Sequence, residues 1–185
     1  MKSIIFTFYA LLFCSVYNSP TSSLSDDYID KYKELAVVEM HRSGIPASII
    51  LAQGLHESNY GRSPLAKKAN NHFGIKCKNY WMGQRYYHLD DDFNDKGKLI
   101  ESCFRKYSSD FDSFIDHSNF LMQGSHYSDL FKYPNTDYIS WAIGLKKSGY
   151  ATDPKYAEKL VKKIEEYKLY QYDYWPYPLK QRIEE

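Results

Sequence analysis

In LAQGLHESNYGRS, residues 51–63, a single acid, Glu57, closes an apolar run. An ionised carboxylate there is costly unless it is paired or its pKa rises. A carboxyl on an apolar helical face keeps its proton to higher pH and can give it to a leaving oxygen. A glutamate satisfied by nearby backbone or by Arg62 would look the same in sequence. His56 invites a zinc-protease reading, but the position four residues on is Tyr60, so the HExxH spacing fails. The second constellation is Asp90, Asp91 and Asp92. Three adjacent acids suit a solvated turn or a calcium-friendly loop. On a strand, Asp90 and Asp92 would face one way and Asp91 the other. One of them, across a cleft from Glu57, could place a water or steady an oxocarbenium-like transition state.

A third group lies in ANNHFGIKCK with Trp81 and Gly83. The amides of Asn70 and Asn71 and the rings of Phe73 and Trp81 are the parts of a sugar subsite, or equally an end cap with core aromatics. In GYATDPKY, Tyr150 stands just before a helix start, where a packed ring beside a cap is the plainer reading.

These residues need elements to hold them. SDDYIDKYKELAVVEMHRSG, from Ser25 as cap to Gly44, predicts an amphipathic helix. Pro46 opens a second helix that sets Ile50, Gln53 and Glu57 on one face. Ser63 and Pro64 start a short helix that Asn70 and Asn71 end. QRYYHLDDD and KLIESCFRKY flank the turn composition NDKG, which predicts a hairpin or a two- or three-stranded sheet. Helices then resume, capped by Ser109 and by Thr136, with a last long one opened by Thr152 and Pro154. YDYWPYPLKQRIEE reads as an irregular strap.

The bounds agree with one domain. The chain has 185 residues, and Lys+Arg 24 against Asp+Glu 23 gives no field that would draw nucleic acid or an anionic membrane. Tyr 19 dominates an aromatic content of 17%, which suits sugar faces or a wet interface. Met1 and Lys2 precede the short apolar run SIIFTFYALLFCSVY, so residues 1–19 are expected to be a secretory signal peptide. A lipoprotein signal ending at Cys14 is a lesser alternative, because Phe13 stands where a small residue is wanted. Of the other cysteines, Cys77 and Cys103 are expected to pair in an oxidising compartment; in the cytosol they would be buried thiols. No third ligand surrounds them, so neither zinc nor any other metal is expected.

GIPASIILAQGLHESNYGRSPLAKKANNHFGIKCKNYWMGQ, then ESCFRKYSS, then GYATDPKYAEKLVKKIEEY, in that order, resemble the bacterial N-acetylglucosaminidases of glycoside hydrolase family 73, the flagellar peptidoglycan-hydrolase type. The resemblance runs from about Tyr28 to about Leu169. It implies an α+β, mainly α, lysozyme-like fold with a small β-hairpin lobe, a glucosaminidase domain at 25–170 and a C-terminal tail at 171–185. It implies a secreted or periplasmic hydrolase of N-acetylglucosaminyl β-1,4 bonds, needing no cofactor. The partners implied are peptidoglycan glycan strands and neither nucleic acid nor, after signal removal, membrane; a monomer is expected. Carried over residue by residue, the catalytic acid falls on Glu57. The β-lobe acid falls on Asp92, with Asp91 next, an aspartate where many relatives carry glutamate. The tyrosine of the GYATDP motif is Tyr150, and the NN pair is Asn70 and Asn71. His56 replaces the usual aliphatic residue before the acid. The rival readings are a lytic transglycosylase on the same scaffold and a non-catalytic wall-binding protein.

Overall fold

Helix caps set the first half of the chain. Ser23 Oγ accepts from Asp26 N at 3.2 Å while the Asp26 carboxylate accepts from Ser23 N at 3.1 Å, and α1 runs Leu24–Ser43. Ser23, not Ser25, is therefore the cap, because only Ser23 has an acid three residues on to close the box. Gly44, at φ 82°, ends α1 by returning its N–H to Met40 O. The computed structural model describes residues 23–177. The expected signal segment 1–19, with Cys14, and the end of the tail, 178–185, lie outside the described residues.

α2, Ala47–Glu57, is buried at every position from Ala47 to Leu55, which its apolar composition on all sides permits. It is the axis of the domain. α1 lies on one side of it, with Tyr28 passing so close over Gly54 that a side chain there would strike the Tyr28 hydroxyl. α6, Tyr156–Glu166, α5, Tyr138–Lys147, and a 3-10 helix, Leu169–Tyr174, close the other side. Pro46 gives α2 no side-chain cap; Asp173 supplies one from the far end of the chain, accepting from Ser48 N at 2.8 Å and Ser48 Oγ at 2.6 Å. The first residues of the supposed strap thus form an ordered 3-10 helix with Leu169, Tyr172 and Asp173 buried.

α3, Pro64–Ala69, is capped by Ser63 and ended by Asn70 at φ 50°. β1, Gln84–Phe93, pairs antiparallel with β2, Leu99–Lys106, around the expected turn, where the Asn94 side chain accepts from Lys96 N and Lys98 N. Lys76 bridges to Phe104 on the other edge of β2, the start of a third strand. The Cys77–Cys103 disulfide is formed. α4, Asp110–Gln123, has the expected Ser109 cap; α5 is capped by Asp137, whose carboxylate accepts from Ser140 N at 3.0 Å, and not by Thr136. α6 begins at Tyr156, one residue past Lys155, rather than at Pro154. Among the described residues, no helix is long and apolar enough to cross a membrane.

Candidate active site

Glu57 is the last residue of α2 and lines a cleft of about 810 Å³ between the helical body and the hairpin. Burial pushes its carboxyl up to about 6, against one hydrogen bond that favours the ionised form. That bond comes from the Tyr156 hydroxyl, which donates to Glu57 Oε1 at 2.8 Å. Standing at the negative end of α2 disfavours its charge further.

Behind the acid runs a buried polar chain. Gln53, one turn earlier on α2 and 0% exposed, donates through Nε2 to the Tyr156 oxygen at 3.0 Å. Its Oε1 lies 3.0 Å from His117 Nε2 on α4. Burial holds the His117 imidazole down at about 3, so it is neutral, and its ring stacks on Phe73 at 3.9 Å between centroids. The Tyr150 ring stacks on Tyr156 at 5.7 Å and meets His117 edge-on at 6.2 Å. Burial raises its phenol well above the usual tyrosine range, with the charge of Glu57 adding to the effect. His56 lines the cleft beside Glu57, its ring 5.8 Å from that of Tyr156. Burial lowers its pKa, and the nearby Lys163 and Lys159 lower it further.

Across the cleft, Lys76 Nζ reaches Asp90 Oδ2 at 2.9 Å and Asp92 Oδ2 at 2.6 Å. Both aspartates therefore face the same way. Lys76 and then the Ser102 hydroxyl, which also donates to Asp92, hold the Asp92 carboxyl below the usual range. Asp90 lines the cleft, and Asp92 is tied back against Lys76 and Ser102.

Four residues were expected to line a sugar subsite: Asn70, Asn71, Phe73 and Trp81. Asn71 is 1% exposed; its amide donates to Ile75 O and Arg105 O and its carbonyl accepts from Phe73 N and Ile75 N, so its capacity is spent joining the helical body to the β-lobe. Asn70 spends its amide on Tyr107 O. Phe73 floors the cleft from within the core, 3% exposed and covered by His117. Trp81 donates to Gln84 O and packs 4.7 Å from the Arg105 guanidinium, away from the cleft lining, where its neighbour Tyr80 stands instead. Of these four, Phe73 lines the cleft, and Asn70, Asn71 and Trp81 each donate to protein backbone.

Sequence reasoning did not single out several residues that the fold brings to the site. Arg105 Nη1 grips both oxygens of Asp116 at 2.9 and 2.7 Å, and Arg105 Nη2 donates to the Tyr80 hydroxyl at 3.2 Å. Tyr107 donates to the same Asp116 at 2.6 Å. Tyr156, six residues past Tyr150, and His117, inside an apolar helical face, carried only the signal of a polar group among core positions. Among the described residues, no three His, Cys, Asp or Glu side chains converge as a metal set.

The profile of the Glucosaminidase family, described as mannosyl-glycoprotein endo-beta-N-acetylglucosaminidase, matches residues 33–169. The chain belongs to the Glucosaminidase family. Exo-glucosaminidase LytG of Bacillus subtilis (strain 168) is 37% identical over 149 residues, 79% of this chain and 52% of LytG. Peptidoglycan hydrolase FlgJ of Salmonella typhimurium (strain LT2) is 29% identical over 156 residues, 82% of this chain and 49% of FlgJ. The chain spans about half the length of these curated relatives. Among solved structures, the catalytic domain of the autolysin Auto from Listeria monocytogenes superposes with a TM-score of 0.72 at 29% identity, covering 83% of this chain and 90% of that one. The glycoside hydrolase domain of Salmonella typhimurium FlgJ gives 0.63 at 29%, covering 78% and 88%. The lysozyme-like arrangement, mainly helical with a small antiparallel sheet, is that of this glucosaminidase family.

Proposed function

We propose that this glucosaminidase-family chain hydrolyses the peptidoglycan glycan strand at N-acetylglucosaminyl β-1,4 bonds, with Glu57 as general acid. The observation that carries the reading is the pairing of a raised carboxyl pKa with a cleft position: Glu57 is protonated below about pH 6 and faces the cavity. The names of the relatives, an exo-glucosaminidase and peptidoglycan hydrolases, support the substrate class.

In this reading Glu57 gives its proton to the leaving glycosidic oxygen as the C1–O bond breaks, and a water adds at C1. A β-lobe carboxylate orients that water and takes its proton. The sequence favours Asp92, with Asp91 beside it; the cleft lining adds Asp90. Tyr150, stacked on Tyr156, walls the reacting sugar, and Tyr80 and Phe120 offer ring faces along the cleft. The enzyme works outside the cytoplasm as a monomer, a setting that suits the Cys77–Cys103 disulfide. No cofactor enters the scheme.

Mass spectrometry of soluble products from purified peptidoglycan tests this directly. New reducing ends at N-acetylglucosamine are the expected result. Anhydro-sugar ends would make the chain a lytic transglycosylase, and intact strands bound by the protein would make it a wall-binding module.

A further inference from the structure

Two hydrogen-bond directions fit the buried chain behind Glu57. In one, His117 Nε2–H donates to Gln53 Oε1, Gln53 Nε2–H donates to the Tyr156 oxygen, and the Tyr156 hydroxyl donates to Glu57 Oε1. In the other, the His117 proton sits on Nδ1, the Gln53 amide is turned over, and Tyr156 donates to Gln53. The Glu57 proton would then point into the protein at Tyr156. Heavy-atom distances are the same in both, so something else must choose.

His117 Nδ1 is that something. Among the described residues it has no hydrogen-bond partner, and His117 is 0% exposed. A hydrogen on Nδ1 would be a stranded N–H donor, whereas a bare lone pair is the lesser cost. The contacts on the ring are uncharged: Phe73 stacks on it, Tyr150 meets it edge-on and Gln53 bonds Nε2.

We infer that His117 is a positioning residue whose Nε2–H sets the direction of the His117–Gln53–Tyr156–Glu57 chain, so that Oε1 of Glu57 always accepts and its transferable proton is held on Oε2. The inference rests on the general-acid reading above. His117 touches no substrate. It acts through the amide of Gln53, whose two orientations share the same heavy-atom distances to Tyr156 and His117.

The ¹⁵N chemical shifts of His117 in the wild-type protein are the first test. A pyridine-like Nδ1 with a protonated Nε2 is expected near neutral pH; a protonated Nδ1 overturns the inference, whether or not the protein is active. His117→Met removes the donor, and His117→Gln retains an amide N–H near the Nε2 position. We expect His117→Met to lower kcat about tenfold with KM unchanged. Its alkaline pH limb should move upward, because the Glu57 carboxylate loses the Tyr156 donor. The other titratable groups facing Glu57 are Tyr150 and His56, and His56 in turn faces Lys159, Lys163 and Asp153; neither variant replaces any of them. His117→Gln should restore kcat and the limb. Equal losses in both variants, tracking thermal stability with the wild-type pH profile, would show a packing role and overturn the inference. Should His117→Met not fold, the tautomer measurement still decides.

Discussion

The Tyr156 hydroxyl stands between Gln53 Nε2 at 3.0 Å and Glu57 Oε1 at 2.8 Å, receiving from the first and donating to the second. A phenol held in this way favours the ionised carboxylate, while burial of Glu57 favours the protonated one, and burial wins.

Tyr156→Phe keeps the ring and removes the donor. The Glu57 pKa should then rise further above about 6. Activity needs the protonated acid, so it falls as pH rises through that pKa, and the variant's alkaline limb should lie at higher pH than the wild type's. kcat at the optimum should fall about tenfold, because the proton is no longer confined to one oxygen. A pH–rate profile checks both, and an unmoved limb would show that the hydrogen bond does not reach the titrating group.

The same pKa links Glu57 to stability. Its folded-state value, about 6, lies above the ordinary 4.5, so the folded protein binds this proton more tightly. Stability from this group is therefore present at low pH and lost as pH rises through that window. Glu57→Gln should be more stable than wild type by about 2 kcal/mol at pH 7, with the difference vanishing below pH 4. Urea unfolding at the two pH values measures it.

Asp173 predicts a stability effect far from the cleft. It caps α2 from the far end of the chain, through Ser48 N and Oγ. Asp173→Ala should cost about 1–2 kcal/mol. A chain cut after residue 168 should lose more, since Leu169 and Tyr172 leave the core with it.

How far the sequence foretold this architecture depends on the reach of each interaction. Ser109, Ser63 with Pro64, and the Asn94 turn were legible because cap and turn chemistry acts over two to four residues. Glu57 was legible because an acid ending an apolar helix is a local anomaly. The Asp173 cap was not, because its partner lies 125 residues away and no pattern at either end marks it. Nor was the internal use of Asn71: an amide reads the same in sequence whether it faces a sugar or the backbone of Ile75 and Arg105. His117 carried no signal of its own, since a buried histidine inside an apolar helical face shows its part in the site only through its contact with Gln53.

The acidic strand gives an ordering. Lys76 pairs with both acids, but Asp90 lines the cleft, whereas Asp92 is also held by the Ser102 hydroxyl. Asp90→Asn should therefore slow turnover more than Asp92→Asn. Lys76→Met should release both carboxylates and raise the Asp92 pKa toward its ordinary value, which NMR titration would follow. A larger loss in Asp92→Asn would return the role to Asp92.

The Cys77–Cys103 bond closes a loop across the lobe that carries these acids, its ends 26 positions apart. Replacing both cysteines with serine should cost about 3 kcal/mol on the chain-entropy account. Reduction should lower activity before the helical core melts, visible as lost turnover with unchanged far-ultraviolet dichroism.

The central claim is that Glu57 supplies the proton that cleaves the glycan strand, and Glu57→Gln tests it most directly because the amide keeps shape and loses the transferable proton. The measurement is the initial rate at which wild type and variant release reducing N-acetylglucosamine ends from purified peptidoglycan at pH 5. A loss of at least about 100-fold in a variant with the wild-type fold is the predicted result. Turnover within a few-fold of wild type would contradict the account.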